Sequence, residues 1–202
     1  VPLIVLSYYS VIGGWSIEYL LKSITFSFTG GESQSAVNTM FSDFVTSTWG
    51  PLAVHTGFLL ATTLIVVFGI KGGIEKFSKV MMPLLFVIVL GIAIYSLTLP
   101  GAQKGVEYLF NPDFSKIDAK ACAAALGQAF FSLSLGFGTI MTYASYVDKK
   151  ENIMFQSTAT AVSDLMFALI AGMAIMPAVF AFGLNPQSGP GLVFETLPYV
   201  FG

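Results

Sequence analysis

FFSLSLGFG, residues 130–138, is the stretch on which the fold turns. It lies inside a long apolar run, yet its middle holds two serines and two glycines and no charge. In hydrocarbon every backbone N–H and C=O must find a partner within the protein. Gly136 and Gly138 each weaken a helix by about 1 kcal/mol relative to alanine. Ser132 and Ser134 offer local hydrogen bonds that compete with the helical ladder. The segment can leave the helix if a cation or ammonium takes up the freed carbonyls, as discontinuous helices do near a bilayer midplane. Small residues also let membrane helices pack closely, and spacing alone leaves both readings open. Ser134 follows Ala121 by 13 residues, about 20 Å of helix, so the weak point is deep in its span.

Lipid is the right solvent for this chain. Of 202 residues, 55% are hydrophobic and 10% charged, with a mean hydropathy of +0.79. Soluble domains carry about a quarter charged residues. Five apolar runs, Val1–Leu21, Pro51–Ile70, Val80–Leu99, Ala121–Val147 and Phe155–Gly183, have the length of roughly 20 residues that a spanning helix needs. They are continuous rather than alternating, so the fold class is an all-α integral membrane protein. All nine basic residues are lysines lying almost wholly between the runs. No basic cluster points to nucleic acid. The lone Cys122 cannot form an internal disulfide and reads as a small buried hydrophobe. Val1–Leu21 lacks a basic leader and a cleavage site, so it reads as a mature helix.

The connections set the orientation. Lys22–Gly50 is long and polar, with an amphipathic piece around Val37–Val45. Lys71–Lys79 and Asp148–Asn152 read as short lysine-bearing loops, Pro100–Lys120 as a longer one, and 184–202 as a Pro- and Gly-rich extracellular loop. Lysine excess in short loops marks the cytoplasmic side. The first span therefore begins in the cytoplasm and the last exits outside. No internal repeat is visible.

Four stretches carry a family resemblance. GQAFFSLSLGFGTIMTYASYVDKK (127–150) resembles the sixth transmembrane helix of the neurotransmitter:sodium symporter family, in its bacterial amino-acid transporter branch. SYYSVIGGW (7–15) resembles the start of the third helix, KGGIEKFSKVMMP (71–83) the cytoplasmic entry to the fifth, and GPGLVFETLP (189–198) the extracellular loop before the eighth. The resemblance implies a partial leucine-transporter-like bundle, helices three to seven of a five-plus-five inverted repeat, with a discontinuous helix near 132–138. Residues 1–202 are then one membrane domain fragment without the first and eighth helices. Such a piece crosses the boundary between the two halves, and alone it is not expected to transport.

Residue roles follow by the same resemblance. The carbonyls of Phe131 and Ser132 and the hydroxyl of Ser134 would hold the ammonium of an amino acid. Ser132 would also complete a sodium site beside the substrate carboxylate. Phe137 would line the side-chain pocket and Phe131 would lid it. Tyr9 would bind the carboxylate, and Val5, one turn earlier on the same face, would touch the substrate side chain. Asp164 is the one acid deep inside an apolar run, a costly placement that marks function by default. The resemblance leaves two roles open for it, sodium ligand or built-in negative charge that makes chloride unnecessary; either compensates cation charge near Gln128 and Ser132. Gly73 and Pro83, with nine residues between them, match a motif at which the fifth helix opens to release sodium inward. Tyr146 matches a cytoplasmic gate, and Gln128 is grouped with these gating positions. Glu18, Trp49 and His55 read as interfacial or packing residues.

The expected function is sodium-coupled import of an amino acid by alternating access, in a multi-pass protein of the cell membrane. Its partners would be the amino acid, the bilayer and the remaining helices of a parent transporter. Exposed carbonyls also build channel filters, so an ion channel is one alternative, and a non-transporting sensor or structural subunit is another. No Ser–His–Asp, metal or phosphate signature suggests an enzyme, and His55 has no evident partner in sequence.

Overall fold

The computed structural model describes residues 2–25, 34–147, 150–184 and 194. Most of the expected extracellular loop 184–202, including nearly all of the 189–198 motif, lies outside the described residues, as do Asp148 and Lys149. The described residues are helical throughout, with no strand. In order they form α1 (Pro2–Ile24), α2 (Gln34–Thr46), α3 (Trp49–Val67), α4 (Glu75–Leu97), α5 (Ala102–Phe110), α6 (Ala119–Ser132), α7 (Thr139–Ala144) and α8 (Ile153–Ala181). A π turn, Ile70–Ile74, joins α3 to α4, and a short 3-10 turn, Phe114–Lys116, precedes α6. Helices α1, α3, α4 with its π turn, and α8 are each long and apolar enough to cross a membrane. The remaining apolar run is split into α6 and α7, so the discontinuous helix near 132–138 is present.

Two connections differ from the sequence reading. Lys71–Lys79 is not a loop: it forms the π turn and the first turn of α4. The cause is local. Glu75 starts the helix at its positive end and accepts from Lys79 Nζ one turn on, at 2.6 Å. Pro100–Lys120 likewise contains α5, which begins after Gly101 at φ 88°. A third difference concerns Cys122, which is exposed, because no described helix packs broadly over that face of α6.

Packing forms two groups. Helix α1 lies against α3, where an added Cβ on Gly14 would stand 2.8 Å from the His55 backbone nitrogen and one on Gly13 2.5 Å from the Phe58 ring. At Gly14, where the contact is with backbone, only glycine permits that approach. Helix α8 packs on α4 and α5. A Cβ on Gly105 would stand 2.5 Å from Pro177 Cα, and the buried Ser96 hydroxyl donates to the Ala174 carbonyl. Toward the end of α1 an aromatic cluster joins distant segments. The Phe194 ring stacks on Phe41 of α2 at 5.8 Å and meets Trp15 and Tyr19 edge-on at 5.5 and 5.4 Å. Such pairs add about 0.5–1.5 kcal/mol each beyond area burial.

Candidate functional site

The site is built where α6 stops. Asp118 starts that helix by accepting from the Ala121 N–H at 2.7 Å, and 14 residues later it ends at Ser132, about 21 Å along. The ending has a defined geometry. The Ser134 N–H donates to the Phe131 carbonyl at 3.1 Å and the Leu135 N–H to the Phe130 carbonyl at 2.8 Å. This is a Schellman cap with Ser134 as its left-handed residue, at φ 54°, the sole non-glycine at positive φ among the described residues. Gly136 and Gly138 follow at φ 79° and 81°, and α7 begins at once. Among the described residues no N–H donates to the carbonyls of residues 132–137. The opening residues thus create a helix end inside an apolar run, with a row of unengaged acceptors.

A carboxylate faces that end. Asp164, twelfth residue of α8, accepts from the Ser132 hydroxyl, whose oxygen lies 2.8 and 2.7 Å from the two carboxylate oxygens. A hydroxyl has one proton to give, while a carboxylate has about four acceptor positions, so most of the Asp164 acceptor capacity stays open. Among the described residues no lysine pairs with it. A half-buried carboxylate with no lysine paired to it, held by the last residue of an interrupted helix, is an arrangement that favours a positive guest.

Aromatic rings border the same place. Tyr9 of α1 lies 6.0 Å from the Phe131 ring, and Phe131 lies 6.1 Å from Phe137 in an edge-on pair. The structure therefore brings Tyr9, Phe131, Ser132, Phe137 and Asp164 into one chain of contacts, with Ser134 at the turn between them. Val5 is half-buried one turn before Tyr9. Gln128 stands one turn before Ser132 on α6, exposed and with no hydrogen bond among the described residues. Tyr146 is exposed just past α7.

Gly73 and Pro83 stand apart from this cluster. The segment between them is continuous helix, and Pro83 lies inside α4 without interrupting it. Gly73 is buried in the π turn, where a Cβ would collide with the Ile65 carbonyl. The end of α4 is therefore closed and wound in this structure. Two features escaped the sequence reading. The Phe131 carbonyl, expected free, already accepts from the Ser134 N–H, and the Leu133 N–H is also directed at it. Ser134 itself adopts a conformation that glycine would take more cheaply, and no residue pattern announces that.

Similarity to known proteins supplies the family and the overall fold. The sodium:neurotransmitter symporter family matches residues 43–194. The chain belongs to that family. An uncharacterised sodium-dependent transporter of Bacillus subtilis, YhdH, is 41% identical over 198 residues, covering 98% of this chain and 44% of its own length. An uncharacterised sodium-dependent transporter of Haemophilus influenzae is 38% identical, covering 98% of this chain and 44% of the relative. The crystal structure of MhsT in complex with L-phenylalanine superposes with a TM-score of 0.90 at 45% identity, over 98% of this chain and 45% of that one. The chain thus spans less than half the length of these relatives. With its apolar helices it is a multi-pass membrane protein of the family, carrying part of the leucine-transporter-like fold.

Proposed function

We propose that this chain is the central part of a sodium-coupled symporter that carries an amino acid into the cell by alternating access. The observation that carries the reading is the meeting of an interrupted helix with an acid. The helix that ends at Ser132 leaves carbonyls without N–H partners, and the Ser132 hydroxyl at that end holds the Asp164 carboxylate. An ammonium with no water around it needs several acceptors at once, and such carbonyls supply them without a fixed charge. The Phe131 and Ser132 carbonyls and the Ser134 hydroxyl are the groups assigned to it, the Phe131 carbonyl giving up the cap it accepts here. Sodium takes Ser132, and Asp164 either completes that site or supplies the fixed negative charge that stands in for chloride.

The aromatic rings suit the rest of the cargo. Tyr9 donates its phenol to the substrate carboxylate and closes over it with Phe131, while Phe137 and Val5 touch the side chain. The relative bound to L-phenylalanine makes an aromatic or bulky apolar amino acid the first candidate. Inward release requires Gly73 and Pro83 to let the start of α4 unwind, with Tyr146 moving as the cytoplasmic side opens; Gln128, ahead of the helix break, is assigned to gating without a side. Proline removes one helical bond and glycine lowers the cost of unwinding.

The test is binding of an amino-acid panel to the full-length protein with and without sodium, repeated with Ser132→Ala and Asp164→Asn. Sodium-dependent binding of an apolar amino acid is expected, with sodium dependence lost in at least one variant. Binding indifferent to sodium in all three proteins refutes the assignment.

A further inference from the structure

The π turn between α3 and α4 makes a second feature, remote from the cargo site. Gly69 turns the chain at φ 75°, and the turn then doubles back so tightly that Gly73 lies against the Ile65 carbonyl. The result is a groove of about 330 Å³ between the two helices. Its walls are apolar, with Leu64, Phe68, Phe77 and Val80 each about half or more exposed. Its floor includes Gly72, where a side chain would meet open space. One charged residue lines it, Lys76. Lys71 lies in the π turn itself, and the Glu75 carboxylate is occupied by Lys79 at 2.6 Å. Three lysines against one glutamate leave this end of the groove with a net charge of +2.

We infer that this groove is a site for one anionic phospholipid, its acyl chain along the apolar walls and its phosphate at Lys76, with Lys71 of the adjoining π turn adding positive charge. The charge identifies the occupant. A neutral lipid or an apolar helix would fill the walls but leave the Lys76 ammonium and the net positive charge of this end unmatched, and a soluble anion would leave the walls empty. The lysine-rich end faces the cytoplasmic leaflet on the positive-inside rule, where anionic lipids attract basic residues beside membrane helices. The inference rests on the membrane assignment and not on the identity of the cargo. It has a mechanical corollary: a chain lodged under the π turn braces the segment that must unwind for inward release.

The experiment reconstitutes the full-length protein in nanodiscs of equal parts palmitoyl-oleoyl phosphatidylglycerol and the matching phosphatidylcholine, and counts retained lipid by native mass spectrometry. The wild type is expected to keep one phosphatidylglycerol in preference to phosphatidylcholine. K71Q/K76Q should lower that preference about 30-fold, since each lysine near an anionic surface contributes about fivefold. Gly72→Leu fills the floor without a clash and should lower retention with both lysines intact. Lys104→Gln, outside the groove, should change nothing. Equal retention of the two lipids by the wild type overturns the site. So does a preference lost in K71Q/K76Q but kept in Gly72→Leu, which means charge without a groove, or one lost equally in Lys104→Gln.

Discussion

Ser134→Gly separates what the helix break costs from what it does. A serine at φ 54° sits in the left-handed region, where a side chain costs about 1–2 kcal/mol. Glycine removes that strain but loses about 0.5–1 kcal/mol through greater freedom in the unfolded chain. The balance favours the variant by about 0.5–1 kcal/mol, a rise of roughly 1–2 °C in melting temperature. Ligand affinity moves the other way. A hydroxyl bonded to a charged group contributes about 1.5–3 kcal/mol, so the variant should bind its amino acid some 10- to 100-fold more weakly. Ser134→Ala isolates the second term, because it keeps the strain and loses the hydroxyl. The assay is a thermal melt of the full-length protein without ligand, paired with equilibrium binding of the amino acid in sodium. If Ser134→Gly melts lower and binds as well as wild type, the strained serine has no bearing on the ligand.

Three packing predictions are read from thermal melts of the full-length protein. Gly105→Ala places a methyl 2.5 Å from the Pro177 backbone and should destabilise by about 1–3 kcal/mol as α5 is pushed off α8; an unchanged melt means the two helices are not that close. Ser96→Ala removes a buried bond to the Ala174 carbonyl, with an expected loss of about 1 kcal/mol for an interhelical hydrogen bond in a membrane. Asp118→Ala uncaps α6 and should cost about 1 kcal/mol, with no effect on sodium dependence, since the cap lies at the far end of the helix from Ser132.

Much of this architecture is legible from residues 130–138 outward, because lipid punishes an unpaired backbone so heavily that a weak helix centre must have a reason. Apolar run length alone locates α1, α3, α4 and α8 to within a few residues. The capped ends of α6 and α8, at Asp118 and Asn152, also follow a plain rule for helix starts. What the residues do not announce depends on distance through space. The Ser132–Asp164 bond joins positions 32 residues apart, and no local pattern fixes the angle between α6 and α8. The left-handed Ser134 is similarly hidden, because glycine two residues later advertises the turn and conceals where it begins. The helical state of Lys71–Lys79 was obscured for the opposite reason: its charges look like a loop, while their spacing of four makes them helix partners.

The central claim is that the Phe131 and Ser132 carbonyls and the Ser134 hydroxyl grip a substrate ammonium, and its most direct test alters only that ammonium. Binding of L-phenylalanine, or of whichever amino acid the panel selects, is compared in sodium with the des-amino acid and the N-trimethyl derivative of the same side chain. Both analogues should bind at least about 100-fold more weakly, because one lacks the cation and the other cannot donate hydrogen bonds. If either binds as tightly as the parent amino acid, the broken helix does not hold the ammonium and the account fails.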